Sequence, residues 1–110
     1  MILNAYIDEQ KIPVEVPDDL PEQAEDFFAK MDADMDRGYQ MSRKWVDKPD
    51  LYQRCQIAAD RMFTAMHTGN DQLMMLMAAY IIKRMPGVRG VHLDQEGNML
   101  EHEFVLDGEE

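Results

Sequence analysis

Residues 31–49 read Met31-Asp-Ala-Asp-Met-Asp-Arg-Gly-Tyr-Gln-Met-Ser-Arg-Lys-Trp-Val-Asp-Lys-Pro49. They hold the single Trp, a Gly that stands alone in the first 68 positions, and a switch from acids to bases. Whether a helix continues through Gly38 or stops there decides the architecture. Upstream, Leu20, Ala24, Phe27, Phe28, Met31 and Met35 recur at helical spacing, with Glu22, Glu25, Asp26, Asp32 and Asp36 opposite them. Asp19 and Glu22 have the spacing of a capping box. At roughly 100° per residue, Gly38, Ser42, Trp45 and Val46 return to the apolar arc, while Gln40, Arg43, Lys44 and Asp47 fall on the polar one. This wheel predicts one helix over about 20–46, ended by Pro49. A Gly inside it costs about 1 kcal/mol relative to Ala, so Gly38 would mark a place where another helix crosses closely. A break at Gly38 is the alternative.

Working outward, Ile2–Ile7 and Ile12–Val16 read as two strands of a hairpin joined through Asp8–Lys11, with Ile12, Val14 and Val16 alternating with Pro13 and Glu15. Pro13 places the second strand at a sheet edge. After Pro49, a second helix is expected over about 48–67, with Leu51, Cys55, Ala58, Ala59, Met62, Phe63 and Met66 on one face. Thr68-Gly69-Asn70 is a turn, and Asn70 is the N-cap of a third helix over about 71–85. Leu73–Ile82 is apolar on every side, so that helix must be central or shared with a second copy. Val88–Leu93 and Met99–Leu106 form a closing hairpin around Gln95–Asn98. The expected fold is α+β: three helices packed with two terminal β-hairpins that meet in one antiparallel sheet.

At 110 residues the chain suits a single domain, 1–110, with one core. Its 22 acids against 11 bases give a net charge of −11, which opposes nucleic-acid binding and favours a basic protein partner. The apolar run of Leu73–Ile82 is far shorter than the roughly 18 residues that a membrane-spanning helix needs. No basic segment precedes the first apolar residues, and Cys55 is alone, so a cytoplasmic location is expected.

Several residue groups invite a chemical reading. Asp32, Asp34 and Asp36 open like a calcium loop, but Arg37 and Arg43 occupy the places that need Gly and Glu. On a helix Asp34 also points about 160° from Asp32. Only Asp32 and Asp36 could share a cation, and surface pairs such as Asp26–Lys30 and Arg43–Asp47 are the simpler reading. Eleven Met are present, and thioethers at Met31 and Met35 or at Met62 and Met66 could hold Cu(I), yet the same positions serve the helix cores. Cys55 lies among apolar neighbours, and no catalytic or phosphate-loop motif occurs.

These observations point to an interaction or regulatory module without catalysis or cofactor, oligomeric through helix 71–85. Tyr39, Arg43 and Trp45 are its candidate contacts, because Trp, Tyr and Arg concentrate binding energy at interfaces. The alternatives are a small enzyme or ligand-binding protein whose pocket uses Asp60, His67, Tyr80 or Arg84, and a divalent-cation site at Asp32 and Asp36.

Overall fold

The computed structural model describes residues 1–108. Strands β1 (Ile2–Ile7) and β2 (Gln10–Glu15) form the N-terminal hairpin. Ile7 pairs with Gln10, so the loop is only Asp8-Glu9, and Asp8 sits at φ 57°. A tight hairpin loop needs a left-handed residue, and Asp tolerates that region better than most side chains. Helices α1 (Leu20–Gln23) and α2 (Glu25–Met35) follow, then two short strands, β3 (Tyr39–Met41) and β4 (Lys44–Val46). The long helices α3 (Leu51–Thr68) and α4 (Asp71–Arg84) come next. Strand β5 (Val88–His92), a 3-10 turn (Met99–Glu101) and β6 (Glu103–Leu106) complete the described chain.

The class is mixed α and β, but the expected three helices and single antiparallel sheet are wrong. Four α-helices and two sheets are present among the described residues. The span 20–46 divides twice. Ala24, at φ −93° and ψ 9°, separates α1 from α2, and Gly38, at φ 99°, ends the helical stretch for good. A left-handed residue cannot propagate a right-handed helix. Residues 39–46 then fold as a separate two-stranded antiparallel sheet, with Tyr39 opposite Val46, Gln40 opposite Trp45 and Met41 opposite Lys44. Met41 is buried and its neighbour Gln40 exposed, which is the period of two of a strand.

The main sheet is mixed, in the order β2-β1-β5-β6. The terminal hairpins share this sheet, but not as one antiparallel sheet: β1 and β5 run parallel because all four helices lie in the crossover between β2 and β5. The 3-10 turn shortens the last strand to four residues. Leu3, Ala5, Val14 and Val91 of the sheet bury against Phe28, Met31 and Met35 of α2, Ile57 and Met62 of α3, and Met77–Ile81 of α4. The two long helices start where their caps dictate. Asp50 accepts from the Gln53 amide at 2.8 Å while the Gln53 side chain accepts from the Asp50 amide at 2.9 Å. Asn70 accepts from the Leu73 amide at 3.1 Å.

Candidate functional site

Two polar assemblies and one exposed hairpin stand out from the core. The first assembly is centred on Asp32 of α2. Its carboxylate accepts from the Tyr80 hydroxyl at 2.6 Å and from Arg84 Nε at 3.0 Å, and Arg54 Nη1 lies 3.6 Å away. Arg84 also grips Glu25 with both terminal nitrogens, at 2.7 and 3.0 Å. Arg54 reaches Asp36 at 2.5 Å and the Pro49 carbonyl at 2.8 Å. Three acids and two arginines thus lock α2 to α3 and α4. The hydrogen bond from Arg84 is the main cause that holds the Glu25 carboxyl below its ordinary 4.5, and the bond from Arg54 does the same to Asp36 against its ordinary 3.8. Burial, reinforced by the bond to Asp32, pushes the Tyr80 hydroxyl upward, and burial raises the Cys55 thiol to about 12. Both therefore stay protonated at neutral pH, and the thiol is a core group rather than a nucleophile.

The second assembly is built around His102, which is fully buried. Its Nδ1 accepts from the Asp94 amide at 2.9 Å, so the ring proton sits on Nε2, which donates to Asp60 at 3.2 Å. Gln56 Nε2 donates to the carbonyls of Leu100 and His102 at 3.0 and 3.1 Å. Both ring nitrogens are engaged, leaving neither for a substrate proton. The chain of bonds continues outward: Asp94 accepts from the Asn98 amide at 3.0 Å, and Asn98 accepts from the Leu100 amide at 3.1 Å. Helix α3 thereby fixes the loop 94–102.

The hairpin β3–β4 projects beside that loop. Ser42, at φ 57°, forms its turn with Arg43, and the Ser42 hydroxyl accepts from the Met99 amide at 3.1 Å. Between turn and loop lies a cleft of about 600 Å³ lined by Ser42, Arg43 and Lys44 on the hairpin and by Glu96, Gly97, Asn98 and Leu100 on the loop. Trp45 is 56% exposed, and its indole nitrogen donates to Asp47 at 2.8 Å. Its ring lies over Gly38, where any β-carbon would collide with it. The same glycine thus ends the helical stretch and makes room for the indole. Tyr39 lies on the other face of the hairpin and helps line a hollow of about 220 Å³ with Met31, Asp34, Met35, Ile57 and Arg61.

The sequence candidates are placed as follows. Tyr39, Arg43 and Trp45 share the hairpin, but on strands and a turn rather than a helix, with Tyr39 and Trp45 on opposite faces. The expected Arg43–Asp47 pair does not form, because the helical spacing it needs is absent and Asp47 binds Trp45 instead. Asp32 and Asp36 are both drawn to Arg54, and among the described residues no group of three or more His, Cys, Asp and Glu side chains could hold a metal ion. Asp60, His67, Tyr80 and Arg84 do not converge. Tyr80 and Arg84 join Asp32, Asp60 joins His102, and His67 is exposed, with Nδ1 3.0 Å from the Phe63 carbonyl. Met31, Met35 and Met62 are buried in the core and Met66 packs against it. Sequence reasoning missed Arg54, Gln56, Asp94 and His102. The bonds that join Arg54 to Asp36, Gln56 to His102, Asp94 to His102 and His102 to Asp60 span 8 to 46 positions, and no local spacing announces them.

No described helix is long and apolar enough to cross a membrane. Comparison with protein-family models, with curated proteins and with solved structures returns no match to this chain.

Proposed function

We propose that the protein is an interaction or regulatory module without catalysis, and that the hairpin β3–β4 is its contact surface. The observation that carries this reading is Trp45, a large aromatic side chain more than half exposed yet held by Asp47 and seated on Gly38. An aromatic anchor fixed before binding loses little side-chain entropy on contact, and Trp with Arg is the composition of interface hot spots. Self-association through α4 has weaker support, since Met77–Ile81 are buried within one copy. The remaining apolar residues of that helix, Leu73–Leu76 and Ile82, are half-buried. The buried, unpaired Cys55 accords with a cytoplasmic setting.

The test places a photoreactive amino acid at Gln40, which is exposed and paired with Trp45 across the hairpin. In native lysate a discrete adduct is expected, and it should disappear in the Trp45→Ala background while the melting temperature holds. An adduct pattern indifferent to Trp45, or none, would remove the hairpin as the contact surface.

A further inference from the structure

We infer that the hairpin and its cleft receive an acidic, extended peptide segment, an inference that rests on the hairpin being the contact surface. The first ground is charge. Residues 37–48 carry Arg37, Arg43, Lys44 and Lys48 against Asp47 alone, a local balance of +3 in a chain of −11. Three bases of the helical layer are neutralised: Arg54 by Asp36, Lys83 by Glu22, Arg84 by Glu25 and Asp32. Arg37, Arg43 and Lys44 enter no ion pair among the described residues, and both Arg43 and Lys44 are exposed at the cleft. A basic partner would be repelled at this spot, whatever the charge of the whole.

The second ground is the backbone. Apart from their mutual ladder, residues 39–46 make no backbone hydrogen bond to the rest of the described chain. In a two-residue hairpin the pair next to the turn, Met41 with Lys44, is the hydrogen-bonded one, so the amide and carbonyl of Trp45 face outward. An extended segment can add to such an edge, with side-chain contacts supplying the selectivity. The third ground is the cleft itself, whose two walls are tied to each other by the Ser42–Met99 hydrogen bond and whose loop wall is anchored through Asp94 and His102. Glu96, the one acid among its lining residues, turns the ligand's carboxylates towards Arg43 and Lys44. A nucleic acid shares the negative charge, but each further phosphate would run past this short basic stretch onto the acidic surface. A short peptide need not.

The experiment measures fluorescence anisotropy of a fluorescein-labelled peptide of alternating glutamate and leucine against the full chain. Binding is expected to weaken as salt rises. It should fall about tenfold in the double variant Arg43→Ala/Lys44→Ala, consistent with the loss of partly exposed charge pairs. Lys30→Ala, which removes an exposed base on α2, is expected to leave it unchanged. Equal binding by the double variant would overturn the inference, as would tighter binding of a labelled oligothymidylate. Sedimentation showing self-association that the double variant abolishes would also overturn it, by making a second copy the occupant. If the Trp45-dependent adduct at Gln40 persists while the peptide fails to bind, the contact surface stands and the acidic ligand falls. If both fail, both readings fall together.

Discussion

The Asp32 assembly and the β3–β4 hairpin are both rich in charge, and they use it in opposite ways. In the first, Glu25, Asp32 and Asp36 saturate Arg54 and Arg84 within the helical layer, and among the described residues no buried side-chain polar atom lacks a partner. In the second, Arg43 and Lys44 stand exposed without an ion pair among the described residues, and the hairpin's own acid, Asp47, is engaged with Trp45. Charges that satisfy one another inside a fold hold elements in register. Charges left open on a rigid support are available to something else. The contrast predicts that mutations in the first region act on stability and mutations in the second act on binding.

The largest expected effect is at Asp32→Ala. It strips Arg84 and the Tyr80 hydroxyl of an acceptor in a setting where the Asp32 and Arg84 side chains are only 26% and 18% exposed. A loss of about 3 kcal/mol in urea unfolding is expected. An unchanged midpoint would mean that the assembly is ornamental to the fold. Gly38→Ala should cost about 2 kcal/mol, because it combines a β-carbon at φ 99° with a collision against the indole. Its signature is a shift in Trp fluorescence at constant helix content. A variant with the wild-type spectrum would show that the Trp45 seat is not fixed by Gly38.

Titration should separate the regions further. The Glu25 and Asp36 carboxyls are depressed in the folded state, so their stabilisation is complete above their ordinary values of 4.5 and 3.8 and is lost as pH falls through the lowered ones. Arg84→Gln should flatten that acid slope, read as the pH dependence of the melting temperature, whereas Arg43→Ala should leave it intact. Cys55 and Tyr80 are raised, so above roughly pH 9 to 10 the unfolded chain releases protons that the folded one keeps, and stability declines with rising pH. The native Cys55 thiol should resist alkylation at neutral pH and react once urea unfolds the chain. The smallest effect belongs to the double variant Arg43→Ala/Lys44→Ala, expected within about 0.5 kcal/mol of wild type. A large loss there would place the hairpin's charges among the stabilising ones and dissolve the contrast.

How far the sequence could be read follows the same division. The N-terminal hairpin, the edge position of the Pro13 strand and the start of α4 are set by alternation, Pro and the Asn70 cap, all of which are local, whereas α3 starts at Leu51 under Asp50 rather than at the expected 48. The stretch 36–46 is where the wheel misled. A pattern that places Ser42, Trp45 and Val46 on one helical arc fits two three-residue strands as well, since neither period repeats often enough in so short a run to exclude the other. Gly38 was the informative residue, and its left-handed backbone outweighs the periodicity around it. The candidates Tyr39, Arg43 and Trp45 share one element nonetheless, because a hairpin keeps sequence neighbours together just as a helix does. The His102 anchor was beyond reach, since it joins α3 to a loop more than 30 positions later through bonds that leave no period in the sequence.

The parallel pairing of Asn4 with Gly90 bears on the order in which the molecule is made. During synthesis β1 and β2 can pair at once, but the second edge of β1 stays open until the crossover helices and β5 have emerged. Contacts so distant along the chain form late and slow folding. That pairing requires glycine at position 90, because a β-carbon there would meet the Tyr6 ring and the Asn4 carbonyl. The helical layer can consolidate while β1 waits, and its charge network is complete by Arg84, before β5 begins. Docking of β5 covers that edge, and an interruption before it leaves a bare strand edge exposed to other chains.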